Sequence, residues 1–292
     1  MRQDAFPGRP QFHWACGGNE EIWRHSVVEC HGTRIGVRFN HPELEDDVRR
    51  CLLPGWRLVR AAPGKAWISL VDRGPAERQR FGLRSGSRRP LWTPSRKELV
   101  ERLESEIHHA VAVRARDGLF VHAAVVGWLG RAILIPGRTH SGKTSLAMEL
   151  VRQGASYYSD EYAVVDAAGY IHPFPRAIRP RPRLDGEPVE APAVSYEQAA
   201  QNGPLAPGLI VATRFRAGGR WRPAPMTAGE ALLALVRNTV AVRRDPARAI
   251  GTLRRVVRGT PAFCGVRGEA AATASALLNL IESHLTKREE MP

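Results

Sequence analysis

The stretch AILIPGRTHSGKTSLAMELVRQG, residues 132–154, constrains this chain more than any other. An apolar run enters it as a strand. A glycine and four variable residues lead to Gly142-Lys143-Thr144, and SLAMELVRQG leaves as a helix that Gly154 can stop. Such a loop works because its backbone N–H groups converge on anionic oxygens at the positive end of the following helix. Gly137 and Gly142 suit the unusual dihedrals and the close approach of backbone to phosphate. The expected nucleotide-binding set is Gly137, Arg138, Thr139, His140, Ser141, Gly142, Lys143, Thr144 and Ser145. Lys143 would bridge the β- and γ-phosphates of ATP or GTP, and the Thr144 hydroxyl would hold Mg²⁺.

From LFVHAAVV (119–126) onward, strand-like and helix-like segments alternate. Strands are expected at LFVHAAVV, RAILIP, SYYSDEYAVVD, YIHPF, GLIVAT and PAFCGVRG. Helices are expected at 143–153, over TAGEALLALVRNTV with a Thr227/Glu230 capping box, over DPARAIGTLRRVVRG, and from about 269 to 284. A further helix begins at Ser95, where Glu98 has capping-box spacing. Leu99, Leu103, Ile107 and Val111 form its core stripe, and Gly118 can end it. Up to residue 92, short apolar runs between turns (RIGVRF, WRLVRA, KAWISLV) suggest a small β-rich region, with GLRSGSRRPLWTP (82–94) as a linker. The chain therefore reads as α/β, with a β-rich domain at 1–92 and a nucleotide domain at 93–292.

The formal net charge is +14, and only four of the 43 basic residues are lysines (Lys65, Lys97, Lys143, Lys287). Arginine binds phosphate and carboxylate well, so nucleic acid, nucleotide or an acidic substrate all fit the charge. The arginines are spread along the whole chain without an RNA-binding aromatic motif, which argues against nucleic acid as the main partner. His13, Cys16, Cys30 and His31 are zinc-ligand types, but adjacent Cys30 and His31 would struggle to reach one tetrahedral ion. No apolar run approaches the roughly 20 residues that span a bilayer, and MRQDAFPGRPQFHW lacks a signal-peptide layout. The expectation is a cytoplasmic protein with reduced thiols and no membrane partner.

A nucleotide loop alone does not specify a reaction. Asp160 and Glu161 follow Lys143 by 17 and 18 positions, about one helix plus one strand, and can return to the phosphate end of the sheet. On a regular strand their side chains would point to opposite faces, one toward the metal and one toward an acceptor.

Three blocks together, VHAAVV with His122, GRTHSGKTSLAMELVRQG and SDE, resemble the HPr kinase/phosphorylase family and its looser relatives, whose nucleotide domain is similar to that of phosphoenolpyruvate carboxykinase. His122 lies 21 residues before Lys143, as in that family, and the likeness covers about residues 95–175. The resemblance implies Mg²⁺-dependent transfer of phosphate from ATP to a serine or threonine hydroxyl. His122 and Lys143 would stabilise the phosphates, Thr144 and Asp160 would serve the metal, and Asp160 or Glu161, with Glu161 favoured, would accept the proton. The family's double aspartate is Asp-Glu here, and its following acidic signature with Arg-Gly-Leu-Gly is replaced by HPFPRAIRPRPRL. Arg176, Arg179 and Arg181 of that segment could clamp phosphate or an acidic substrate, and Arg237-Asn238 is similar to a later family Arg-Asn. These departures weigh against HPr itself as acceptor and against reverse phosphorylase activity. Members that phosphorylate ribosomal precursor peptides, lasso peptides among them, make a peptide acceptor the sharper expectation. Family members also form rings, which implies a homo-oligomer. The competing readings are a regulatory module that binds nucleotide without transfer and a nucleic-acid-associated ATPase.

Overall fold

In the computed structural model the chain is described over residues 23–137, 141–180 and 189–289. The first sheet is built by β1 (Arg24–Cys30), β2 (Thr33–Phe39), β3 (Arg57–Val59), β4 (Ala66–Asp72), β5 (Phe81–Ser85) and β6 (Leu91–Thr93), in the order β3-β1-β2-β4-β5-β6. Along β2, Ile35, Val37 and Phe39 enter the first core, while on the other face Arg34 and Arg38 reach solvent and Gly36 between them is buried under the Trp67 ring. His31 and Gly32 turn β1 into β2 with φ of 44° and 65°, the left-handed pair that a two-residue hairpin favours. α1 (Leu44–Arg50) and α2 (Arg96–Arg114) pack against this sheet. The α2 stripe Leu99, Leu103, Ile107 and Val111 is fully buried among Ile35, Val37, Ile68, Leu70 and Leu83.

The expected linker at 82–94 is a correction: the segment contains most of β5 and all of β6. Phe81 and Leu83 are buried, and the Trp92 ring lies where a Cβ on its partner Gly82 would stand. Glycine and arginine content made this hairpin look unstructured, whereas a cross-strand glycine–tryptophan contact and the α2 surface beneath it hold it in place. At the α2 N-terminus, Ser95 Oγ accepts from Glu98 N at 3.2 Å, but the Glu98 carboxylate accepts from Thr93 Oγ1, so only half of the expected capping box forms.

The second sheet has the order β11-β10-β7-β8-β12-β14-β13, with β9 also paired to β7. Its strands are β7 (Leu119–Trp128), β8 (Arg131–Pro136), β9 (Ser156–Ser159), β10 (Tyr162–Val165), β11 (Ile171–His172), β12 (Ala206–Phe215), β13 (Ala224–Pro225) and β14 (Ala262–Arg267). β8, β12 and β14 run parallel, and both sheets are mixed. Alternate residues of β8 enter two different cores. Ala132 and Leu134 join the one formed with α5 (Ala228–Arg237) and α6 (Pro246–Val257), while Ile133 and Ile135 join the one formed with α3 (Lys143–Arg152) and α7 (Ala270–Glu289). Burial on both faces explains the unbroken apolar run AILI. A short α4 (Tyr196–Gln201) packs near β9. Phe120, Tyr162, Val164 and Phe174 continue the first core into the second sheet. The described residues thus form a mixed α/β structure with two sheets and seven helices. None of these helices is long and apolar enough to cross a membrane.

Candidate functional site

Three segments meet at the C-terminal end of β8. The first is the glycine loop. Gly142 caps α3 with φ 82° and no side-chain hydrogen bond, and the first turn carries no acidic residue, so the helix presents amides and positive partial charge at this end. Lys143 Nζ curls back to donate to Gly137 O at 2.6 Å. Ser141 Oγ is buried without a partner among the described residues. Arg138, Thr139 and His140 lie outside the described residues, and Ser145 is exposed.

The second segment is β7. His122 O accepts from Gly137 N at 3.2 Å, and His122 N donates to Asn238 O at 2.7 Å, which ties the strand both to the loop and to the end of α5. The imidazole packs at 4.7 Å on the Tyr162 ring, with Nδ1 3.8 Å from Glu161 Oε1. Burial pulls the His122 pKa down, Glu161 pulls it back up, and Lys143 adds to the lowering, so neutral imidazole is favoured.

The third segment carries the acidic pair. The single strand expected over SYYSDEYAVVD is broken: β9 stops at Ser159, and β10 starts at Tyr162. Ser159 Oγ, fully buried, accepts the N–H groups of Glu161 and Tyr162 at 3.1 and 3.0 Å and holds the break. The two carboxylates still diverge, because a bend rather than strand alternation separates them. Asp160 Oδ2 accepts from Thr144 Oγ1 at 3.2 Å, and its Oδ1 lies 3.3 Å from the Tyr157 hydroxyl. Glu161 turns toward His122 and accepts from Arg176 Nη1 at 2.9 Å. Burial raises the Asp160 pKa, with Arg176 opposing and Glu161 reinforcing. Burial likewise lowers that of Lys143, which Glu161 and Asp160 oppose. The site therefore brings a cation, Lys143, within the electrostatic reach of both carboxylates.

The candidate arginines are already engaged. Arg176, 13% exposed, bridges Glu161 and Glu104, whose Oε1 accepts from its Nε at 3.1 Å; Arg179 pairs with the other Glu104 oxygen. A cavity of about 520 Å³ opens beside Arg179, between Arg89, Glu98 and Arg102. Arg237 is exposed in the last turn of α5, one residue before the carbonyl that receives His122 N–H, and Arg181 lies outside the described residues. His13 and Cys16 also lie outside them, while Cys30 is buried with its thiol pushed up to about 12. Among the described residues, no group of three or more His, Cys, Asp or Glu could hold a metal. A hard cation here would need the Thr144 hydroxyl, Asp160 and oxygens brought by a ligand or water, a donor set that suits Mg²⁺.

Sequence reasoning missed Tyr157, Ser159, Glu104 and Arg267. Glu104 and His108 stand four apart beside the α2 stripe and are both buried, so that spacing could have flagged them. Arg267, on the far strand β14, gives no local signal.

Neither the models of known protein families nor the curated proteins contain a match to this chain.

Proposed function

We propose that the chain is an ATP- and Mg²⁺-dependent kinase that phosphorylates a serine or threonine hydroxyl of a protein or peptide, through an HPr-kinase-like nucleotide loop. The observation that carries this reading is the meeting of Lys143, the Thr144–Asp160 pair and the His122–Glu161 pair from three separate segments at one strand end. Lys143 and the first-turn amides of α3 would take the phosphate oxygens, and Thr144 and Asp160 would hold Mg²⁺. The metal would offset charge on the phosphates when bound. Since Asp160 faces Thr144, Glu161 is the better base. Arg176 fixes its Oε2 and leaves Oε1 toward His122. The acceptor oxygen forms a bond to the γ-phosphorus as the bond from that phosphorus to the β–γ bridging oxygen breaks. ADP leaves, and the hydroxyl proton passes to Glu161. His122, in its neutral form, would donate a hydrogen bond to the transferring group.

One observation favours a second reading, a nucleotide-binding module without transfer: Arg176 already occupies Glu161 and is itself held by Glu104. Incubation with γ-labelled ATP, Mg²⁺ and a library of Ser/Thr peptides with and without carboxylates separates the two. The kinase reading expects label on hydroxyls in the parent and none with Lys143→Ala. ATP binding by the parent without label on any peptide would leave the module reading in its place.

A further inference from the structure

Arg267 ends β14 directly behind the glycine loop and is 2% exposed. Its Nη2 donates to Gly142 O at 2.7 Å, its Nη1 donates to Gly268 O at 2.8 Å, and the guanidinium stands 5.3 Å from the Phe215 ring centroid. Nε is buried with no hydrogen-bond partner, and no carboxylate among the described residues lies within the 4.0 Å of an ion pair. Glu269 acts on the group only from farther away, and burial outweighs it, drawing the arginine below its ordinary value. A buried cation answered at close range only by two peptide carbonyls and an aromatic face is unfavourable, and it persists where something else compensates it. The second orphaned group of this region, Ser141 Oγ, lies in the same loop. The backbone is shaped around the guanidinium, because a Cβ at Gly142 would collide with Nη2.

The geometry has a direct consequence for the loop. Gly142 O is fixed by Arg267 and by Leu146 N at 3.2 Å. In a trans peptide the next N–H points opposite to that carbonyl, so Lys143 N–H is aimed away from β14, out of the end of α3.

We propose that Arg267 is a positioning residue and buried counter-charge for a polyphosphate chain: it aims the first amide of α3, and its uncompensated charge is relieved when the anion binds. The inference rests on the nucleotide reading above and adds a residue on a strand which that reading does not use. It makes two predictions of opposite sign. Neutralising Arg267 should leave the empty protein as stable or stabler, and it should weaken binding of the anion.

The test measures melting temperature and affinity for inorganic tripolyphosphate and Mg-ATP in the parent, Arg267→Gln and Arg267→Lys. The expected result is a tenfold or greater loss of tripolyphosphate affinity in Arg267→Gln without a lower melting temperature when empty, and recovery of most of that affinity in Arg267→Lys. Equal affinity in Arg267→Gln and the parent would overturn the role of Arg267. So would a Gln variant whose lower melting temperature accounts for its whole loss of binding. Absence of any tripolyphosphate or ATP binding in the parent would instead remove the nucleotide reading itself. Should Arg267→Gln not fold, hydrogen exchange on the parent decides: tripolyphosphate should protect residues 141–146 and 265–268 together, and protection of the loop alone contradicts the coupling.

Discussion

Charges buried around α2 and charges buried around the glycine loop are handled in opposite ways. In the α2 region each deep carboxylate is matched by arginine. Asp47, fully buried, is held by Arg50 at 3.2 Å and Arg96 at 2.9 Å; Glu106 is held by Arg88 at 3.1 Å and Arg102 at 2.8 Å; Glu104 is held by Arg176 and Arg179. At the loop, Asp160 is met by the hydroxyls of Thr144 and Tyr157, and Arg267 by peptide carbonyls. A matched pair fixes structure, because removing one member strands the other. A charge held by neutral dipoles remains available to a further charge, as functional sites require. Arg176 lies on the boundary, with Glu104 on the structural side and Glu161 on the loop side.

Breaking the matched side should have the largest effect on stability. Glu104→Ala leaves Arg176, 13% exposed, with Glu161 alone, and should cost about 3 kcal/mol in urea unfolding, the size expected when one partner of a buried pair is removed. A loss of a few tenths would erase the contrast between the two regions.

The α2 side should also set the acid sensitivity. His108 is buried between Trp56 and Phe174, bonds to Cys51 O at 3.1 Å, and has its pKa pushed down to about 3 by burial, with Arg176 adding to it. Because the folded-state value lies below the unfolded 6.5, the unfolded chain binds the extra proton between them, and stability falls as pH drops through 6.5 toward 3. The parent should lose on the order of 2 kcal/mol between pH 6.5 and 4.5, and His108→Leu should lose visibly less over the same range. Parallel pH curves for the two proteins would show that His108 does not titrate as described.

The loop side should respond with the opposite sign and more weakly. The Asp160 pKa is raised in the folded protein, so this group favours folding below its unfolded value and that contribution is lost as pH rises through the folded one. Asp160→Asn should therefore stabilise the empty protein at pH 7. That advantage should disappear near pH 3 while Mg²⁺-dependent activity is lost. Destabilisation at pH 7 would place Asp160 among the structural carboxylates.

The same division explains what was legible in the sequence. Helix signals are local: the Thr227/Glu230 capping box forms in both directions, and the α2 stripe at every fourth residue is fully buried. The strand–loop–helix block likewise reads within one window. The hairpin β5–β6 did not, because its support comes from Trp92 against Gly82 and from α2 beneath it. The break at Asp160-Glu161 was missed because buried Ser159, with its hydroxyl capping two amides, looks in sequence like any strand serine. Charge matching was the least visible feature. Glu104 meets Arg176 across 72 residues, and Arg267 meets Gly142 across 125, and in a chain with 43 basic residues no spacing rule selects those partners.

The central claim, that the loop around Lys143 holds the phosphates of ATP opposite the Asp160-Glu161 carboxylates, is tested most directly by calorimetric titration of Mg-ATP into the parent and Lys143→Met at one ionic strength. The account predicts saturable binding at one site per chain in the parent and at least about a tenfold loss in the variant, the cost of removing a charge-assisted phosphate contact. Equal binding by both proteins, or none by the parent, would contradict it.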